Sequence, residues 1–534
     1  MKAGFGRRGN RKFAGTGGLK LQNPAGFGTE MHPMKKFFSF LAVWLVVAGV
    51  RAALPQPDLI AQIHFAGAQK FSAAPRAAAF TNEFCSAEAV ALRQQTADKL
   101  SVWLAGWLAA NAGAAVPDGA AKLRPLLDDL QVSEWFAEAR AAAGGGPQAA
   151  IAIKLDADRT QLWLANLKPF FLAGSFKSAD GWLFVTTAAG ANSLVDELVK
   201  KMFPVDKSLL DLDVNWPRLA QWFPKLKELA LPETQFTLTA PDDNFRLNGK
   251  FFFPEELVQK LEPWRVPTNT IHQPFVSFTA VRGFSQWLDS QPWAQPFMLS
   301  PTPNQMFVWS MPKVSYRTFA AVPFADATNA LELACARLQP VIESHKAPGN
   351  FFGAFNLEHT KGQALLSGMP MIIPYLNAIG TPAGQFLLAG GFPNTPRSKP
   401  LPPGMFQPLA QSSLVFYHWE ITSERFSPAL DLTEISFLLT DHRQFDTEST
   451  AMKWMKTFVP RLGNNVTEIN RTGPAEMTFK RVSNGIFTAT ELIALGCWLE
   501  APNFPGCNLN LPLRPAHKVH PPLNAPPSAP APAK

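Results

Sequence analysis

The chain has 534 residues, of which 47% are hydrophobic, and a formal net charge of +8 at pH 7. Nine of its 49 Lys and Arg but only one of its 41 Asp and Glu lie at or before Arg51, so 40 of each remain and the rest of the chain is formally neutral. A nucleic-acid-binding surface needs basic residues clustered on the folded domain. This charge balance excludes nucleic acid as the expected partner.

The N-terminal segment has the pattern of a secretory signal. Residues 1–33 are Gly-rich and basic without apolar periodicity, which predicts a disordered or non-native extension. Two lysines then precede an unbroken apolar run from Phe37 to Val50. This order predicts a signal peptide at 34–52 with cleavage at Ala52, and so a periplasmic or secreted bacterial protein. The run is shorter than the roughly 20 apolar residues of a membrane span, so no stable transmembrane anchor is expected.

Four cysteines, an even number, are consistent with disulfides in an oxidising compartment. Four cysteines allow three connectivities, and Cys497 with Cys507 is the best local pair because it closes a short loop. The sequence contains no CxxC and no Cys/His zinc spacing. We therefore expect neither a metal nor a cofactor.

The chain length predicts two domains. About 480 residues follow the predicted signal, which exceeds a single core of ordinary size. A proline-rich break at Pro263–Pro274 divides them near the middle. We place a first domain at 53–270 and a second at 271–514, followed by a disordered Pro/Ala-rich tail at 515–534.

One strand–turn–helix pattern occurs four times. Each copy is a short apolar strand followed by a turn and a helix start that carries an aromatic residue. Gly67 and Gly283 stand at the same offset in two of the copies. Such repetition predicts two similar halves from an internal duplication. The copies are Leu59–Phe71, Leu210–Trp222, Phe275–Trp287 and, more weakly, Leu414–Phe426.

Between these units the sequence predicts further strands and helices. Two apolar segments flank the turn residues 241–244, which predicts a hairpin. Ile435–Thr440 has the composition of a strand. Strands beside strands indicate an α+β fold with antiparallel-rich sheets and packed helices. Helical periodicity is clear at Leu92–Ala109, Leu194–Met202, Ala327–Ile342 and Ser449–Val459.

Two segments carry a resemblance to known families. Tyr417–Thr422 reads Tyr-His-Trp-Glu-Ile-Thr, and Thr488–Phe504 has the pattern of a C-terminal helix. With the exported start and the repeated units, the chain resembles exported bacterial families with repeated β-turn-α units and no established activity. The resemblance implies a location and an architecture and supplies no catalytic residues.

The strand around His418 and Glu420 is the one candidate for catalytic chemistry. The sequence contains no GxSxG, SxxK, HExxH or Walker phosphate loop. Residues two apart on a strand share a face, so His418 could act as a base that Glu420 orients. The alternative is a half-exposed strand with Tyr417 and Trp419 facing the core.

Other polar and aromatic patterns favour structural roles. Asp211 and Asp213, like Asp156 and Asp158, are carboxylates two apart, which on a strand share a face and could suit a cation or acid/base chemistry. The favoured interpretation is a solvated strand edge. The chain has 15 Trp and only three Tyr. Aromatic residues could line a ligand cleft, but the simpler interpretation is that they fill the core. Trp103 and Trp107 share a helix face as core residues do.

These observations leave three functional hypotheses. The leading one is an extracytoplasmic, non-catalytic binding or structural protein. The first alternative is a carrier of a hydrophobic or glycan ligand in a Trp/Phe-lined cleft between the halves. The second is a hydrolase whose active site is assembled from dispersed residues.

Overall fold

The computed structural model describes the greater part of the chain between residues 58 and 506. The predicted extension 1–33, the signal peptide 34–52 with its cleavage at Ala52, and the tail 515–534 lie outside the described residues. The described ranges are 58–112, 116–141, 147–187, 198, 208–222, 226–227, 231–290, 299, 301–312, 317–344, 356–368, 372–392, 401, 404–441 and 446–506.

Twelve α-helices occur in the described ranges, and most begin directly after a strand or a tight turn. Asp156 and Ser449 accept hydrogen bonds at two of the helix starts, as N-cap residues do. The helices are α1 (Ala68–Ala73), α2 (Pro75–Ala78), α3 (Thr81–Phe84), α4 (Ala87–Ala112), α5 (Gly119–Val132), α6 (Ala157–Leu167), α7 (Trp216–Trp222), α8 (Ser285–Asp289), α9 (Ala327–Ser344), α10 (Thr422–Asp441), α11 (Thr450–Phe458) and α12 (Ala489–Glu500).

Eighteen strands and three short 3-10 helices complete the described secondary structure. The strands are β1 (Leu59–Phe65), β2 (Trp135–Arg140), β3 (Gln148–Lys154), β4 (Phe176–Ala179), β5 (Trp182–Thr186), β6 (Leu210–Val214), β7 (Glu233–Thr239), β8 (Phe245–Phe252), β9 (Ser277–Arg282), β10 (Gln305–Ser310), β11 (Thr318–Phe324), β12 (Asn356–Thr360), β13 (Gln363–Ser367), β14 (Tyr375–Thr381), β15 (Gly384–Gly390), β16 (Leu414–Ile421), β17 (Asn464–Arg471) and β18 (Glu476–Ser483). The mixture of helices and strands confirms the α+β class.

All strands join one sheet in which every neighbouring pair is antiparallel. The spatial order is β4-β5-β3-β2-β1-β6-β7-β8-β18-β17-β16-β9-β10-β11-β15-β14-β13-β12. The first eight strands (β1–β8, here called the first half) and the last ten (β9–β18, the second half) meet at β8 and β18. The register of these two strands pairs Gly249 with Phe479. The predicted break at Pro263–Pro274 falls between β8 and β9. The predicted domains 53–270 and 271–514 therefore share one continuous sheet.

Helices α4–α6 and α9–α12 all pack on one side of the sheet, here called the helix face. The strand side chains that point toward this face include Ile63, Leu212, Thr279 and His418. Its largest core combines β7, β8 and β18 with α10–α12, where Met455 and Leu492 are fully buried. On the other side, loop residues such as Phe406 cover a second core. Alternating residues of each strand thus serve two cores.

The strand–turn–helix units are confirmed as local structure. Gly67 follows β1 and Gly283 follows β9 with positive φ angles of 87° and 79°. Only glycine adopts this conformation without strain, which explains the shared offset. The predicted hairpin around 241–244 is confirmed as β7 and β8.

Two further predicted elements lie at Ile435–Thr440 and Leu194–Met202. The predicted strand Ile435–Thr440 is wrong, because this segment belongs to α10. A short apolar run does not distinguish a strand from a buried helix, and here the helix that starts at Thr422 continues through it. Of the predicted helix Leu194–Met202, only Leu198 is described, and it is helical and buried.

Candidate functional site

Three polar side chains form a line on the helix face of the second half. Thr279 on β9 and His418 on β16 are directly opposite each other in the antiparallel register. Thr279 Oγ1 lies 2.7 Å from His418 Nδ1, and His418 Nε2 lies 3.2 Å from Glu420 Oε2. The structure therefore brings the two predicted residues together and adds a hydroxyl that sequence reasoning missed.

Glu420 is held as a carboxylate at the end of this line. Its side chain is 1% exposed, and its Oε1 accepts hydrogen bonds from Thr422 Oγ1 at 2.8 Å and from the Ala489 N–H at 2.7 Å. Burial raises the pKa of Glu420, but these hydrogen bonds and the hydrogen bond and charge of His418 outweigh burial, so the pKa is lowered. An ionised carboxylate can only accept hydrogen bonds.

The charge state of Glu420 fixes the proton positions on a neutral His418. Nε2 must carry the proton that it donates to Glu420, which leaves Nδ1 as an acceptor for the Thr279 hydroxyl. The arrangement of hydroxyl, imidazole and carboxylate is the one in which a base activates a nucleophile and a third group orients the base. Thr279 and His418 are both partly exposed, so solvent reaches them.

A row of hydroxyl groups and one guanidinium lies beside this line. Ser277 pairs with Glu420 across β9 and β16, and with Ser310 across β9 and β10. Ser310 Oγ in turn lies 2.9 Å from Thr318 Oγ1, to which Arg425 on α10 donates a long hydrogen bond of 3.4 Å.

The first half has an apolar cavity of about 260 Å³ on the helix face, open to solvent. It opens over β1, β2, β3 and β5, where small side chains leave space that larger ones would fill. One row further along the same strands, Ile153 and Leu183 are fully buried in the core beneath α5 and α6. The lining includes Ala61, Ile63, Ala137, Ala149, Ile151 and Phe171.

The predicted carboxylate pairs occupy other environments. Strand β6 lies between β1 and β7, so the expectation of a solvated edge is wrong for Asp211 and Asp213. Asp211 bonds His64, which sequence reasoning missed, and Asp213 Oδ2 accepts from Gln235 at 2.9 Å. Asp156 caps α6 by accepting from the Arg159 N–H at 2.7 Å, because the segment is a helix start and not a strand.

The tryptophans divide into buried and exposed groups. Trp163 and Trp309 fill the core as expected, with 3% and 2% exposure. Trp103 and Trp107 stack on each other at 6.5 Å between ring centroids, yet they are 42% and 40% exposed. The core interpretation is therefore wrong for this pair, because their face of α4 points away from the sheet.

The predicted disulfide remains a prediction. Cys497 on α12 is buried, and burial raises the pKa of its thiol, but Cys507 lies outside the described residues. Among the described residues, Cys85, Cys335 and Cys497 form no disulfide with one another.

Comparisons with known proteins give no relative: no protein-family model, no curated protein and no solved structure matches the chain. Across the described ranges, none of the helices has the length and apolar character needed to cross a membrane. In the same ranges, no three His, Cys, Asp or Glu side chains come together as metal ligands would. The geometry of the two sites is thus the basis for the functional argument.

Proposed function

We propose that this protein is an extracytoplasmic binding protein that holds a compact apolar group in the cavity of its first half. The cavity carries the proposal, because five of its wall positions are alanines on adjacent strands. The cavity is open to solvent and has an apolar lining, so an apolar group can enter its volume of about 260 Å³, which supports a ligand-binding role.

The volume and chemistry of the cavity define the class of ligand. An apolar cavity of about 150 Å³ is known to accept a benzene ring. The cavity here has room for a bicyclic ring or a short hydrocarbon chain. Ile63, Ile151 and Phe171 in the lining would contact the apolar body of the ligand.

A neutral fluorescent dye tests this proposal. N-phenyl-1-naphthylamine should bind the full chain at one site with increased fluorescence, and decanoate should displace it. Ala137→Leu fills the cavity and should raise the dye Kd at least about 10-fold, which corresponds to roughly 1.4 kcal/mol. The matched control is Ala320→Leu, which enlarges a partly exposed alanine on the same sheet face outside the cavity.

Two results would count against apolar-ligand binding in this cavity. One is the absence of saturable dye binding to the folded chain. The other is an unchanged dye Kd in a folded Ala137→Leu variant. Circular dichroism of each variant establishes that it is folded before the Kd values are compared.

We also propose that the two halves arose by duplication. The order β4-β5-β3-β2-β1-β6-β7-β8 has the same connections as β14-β15-β11-β10-β9-β16-β17-β18, with β12 and β13 added. Ile63 pairs with Leu212 four residues before Gly67, and Thr279 pairs with His418 four residues before Gly283. An experimental structure in which these pairs do not superpose would contradict the proposal.

Export is the third part of the proposal, and the apolar run at 37–50 supports it. We expect the native protein in the extracytoplasmic fraction without residues 34–52. The mass of the intact protein purified from that fraction shows whether these residues have been removed. Recovery of the protein in the cytoplasm with these residues intact would contradict export.

A further inference from the structure

We propose that the second half carries a hydrolytic site for esters of apolar acids, with Thr279 as the nucleophile and His418 as its base. This activity is independent of the proposed cavity ligand, because the two sites lie in different halves. The proposal rests on the line of Thr279, His418 and Glu420, whose hydrogen bonds are 2.7 Å and 3.2 Å long.

The hydrogen-bond direction suits proton removal from Thr279. His418 donates from Nε2 to the buried carboxylate of Glu420, so its Nδ1 accepts the Thr279 proton. The imidazolium that forms would be stabilised by the carboxylate. The opposed positions of Thr279 and His418 on β9 and β16 set this distance through the rigid sheet rather than through a mobile loop.

The two sides of Thr279 differ in chemistry, and together they define the substrate. On one side Arg425 donates to Thr318, whose hydroxyl lies 2.9 Å from that of Ser310, and its guanidinium is the charge that could stabilise a developing oxyanion. On the other side Val281 pairs with Phe416 and with Met306, and all three are partly exposed. An apolar acyl chain would lie on that side with its carbonyl oxygen toward Arg425.

The reaction balances without a cofactor. Thr279 Oγ adds to the ester carbonyl carbon, its proton moves to His418 Nδ1, and the carbonyl π electrons move to the oxygen. The carbon–oxygen bond to the alcohol then breaks, and the alcohol leaves with the proton from His418. Water adds to the acyl-threonine ester by the same proton route, which releases the carboxylic acid and restores the Thr279 hydroxyl.

The test uses the folded full chain with p-nitrophenyl butyrate and, separately, a fluorophosphonate probe. We expect nitrophenolate release, and a probe adduct on the peptide that contains Thr279. Thr279→Val keeps the side-chain shape and removes the hydroxyl, so it should lower kcat/KM about 10³-fold and abolish the adduct. Thr279→Ser should retain activity, which separates the loss of a nucleophile from the loss of the fold.

A matched control is Thr237→Val. Thr237 is also a partly exposed mid-strand threonine bonded to a titratable side chain, Asp211, but it lies in the first half. This variant should hydrolyse the ester at the wild-type rate. A folded Thr279→Val variant with unchanged activity, or a folded wild-type chain that neither hydrolyses the ester nor takes the probe, would overturn the proposal.

Glu420 is a positioning residue in this site, and its test needs a kinetic readout. Glu420→Gln should lower kcat about 10²-fold or more with little change in KM, because the amide no longer fixes the tautomer of His418. A change in KM alone would show that Glu420 does not act through His418.

Discussion

His64 and Glu134 form a partly buried contact that connects the first strand to the segment before β2, with 3.2 Å between His64 Nε2 and Glu134 Oε1. The other ring nitrogen, Nδ1, lies 3.3 Å from Asp211 Oδ2 on β6. The imidazole also stacks on Phe136 at 4.1 Å between ring centroids. One side chain thus joins three segments of the first half through two carboxylates.

This triad makes stability depend on pH. Burial lowers the pKa of His64, but the hydrogen bonds to Asp211 and Glu134 and their charges outweigh burial, so the pKa is raised. The hydrogen bond from His64 lowers the pKa of Glu134. The stabilisation from His64 is complete below its ordinary pKa of 6.5 and is lost as pH rises through the raised pKa. That from Glu134 is present above 4.5 and is lost as pH falls through the lowered pKa.

We expect His64→Gln to lower the free energy of unfolding most between about pH 4.5 and pH 6.5, and less above this window. Urea unfolding at a series of pH values provides the measurement. His359→Gln is the matched control, because His359 also lies 3.2 Å from a carboxylate, that of Glu332, but at the protein surface. A difference between wild type and His64→Gln that does not vary with pH would contradict the assigned charges.

The sequence predicted local structure in this protein better than it predicted contacts. The strand–turn–helix units were predictable because Gly67 and Gly283 are local signals for a positive φ angle. The contact between Thr279 and His418 spans 139 residues and depends on the register of β9 and β16. Nothing in either local segment encodes that register. For this reason the sequence indicated the pair His418 and Glu420 but not the nucleophile.

Gly67 provides a test of the turn after β1. A Cβ on Gly67 would lie 3.0 Å from the backbone nitrogen of Glu134, which cannot move aside as a side chain does. Gly181 has a similar φ of 77° with open space around it, so it serves as the control. We expect Gly181→Ala to cost about 1 kcal/mol from backbone strain alone. Gly67→Ala should lower the free energy of unfolding by more than that, and equal losses would show that the contact is unimportant.

An exposed and a buried tryptophan should differ in how much they contribute to the free energy of unfolding. Trp163 Nε1 donates to Asp129 Oδ2 at 2.8 Å within the core beneath α5 and α6. We expect Trp163→Phe to lower the free energy of unfolding by about 1–3 kcal/mol, since it removes this bond and leaves space. Trp103→Gln should change it by less than about 0.5 kcal/mol because this side chain lies at the surface, outside the core. Chemical denaturation measures the free energy of unfolding of both variants. A larger decrease for Trp103→Gln than for Trp163→Phe would contradict the placement of α4.

The ion pair of Arg481 and Glu491 gives the last prediction. Arg481 on β18 donates two hydrogen bonds to the carboxylate of Glu491 on α12, of 2.7 Å and 2.5 Å, and both side chains are buried. Glu491 also accepts from the Thr488 N–H at 2.7 Å, so it caps the helix. Because removal of one partner leaves a buried charge, Arg481→Met should lower the free energy of unfolding by about 3–5 kcal/mol.

The control for this pair is Lys456→Met. Lys456 Nζ lies 3.0 Å from Glu448 Oε1, but both side chains are about half exposed, so the contact is screened by solvent. We expect this variant to change the free energy of unfolding by less than about 1 kcal/mol. Replacement of both Arg481 and Glu491 by methionine should recover part of the loss, because no charge remains buried. If the double variant is less stable than Arg481→Met, the helix cap and not the buried charge dominates the energetics of this contact.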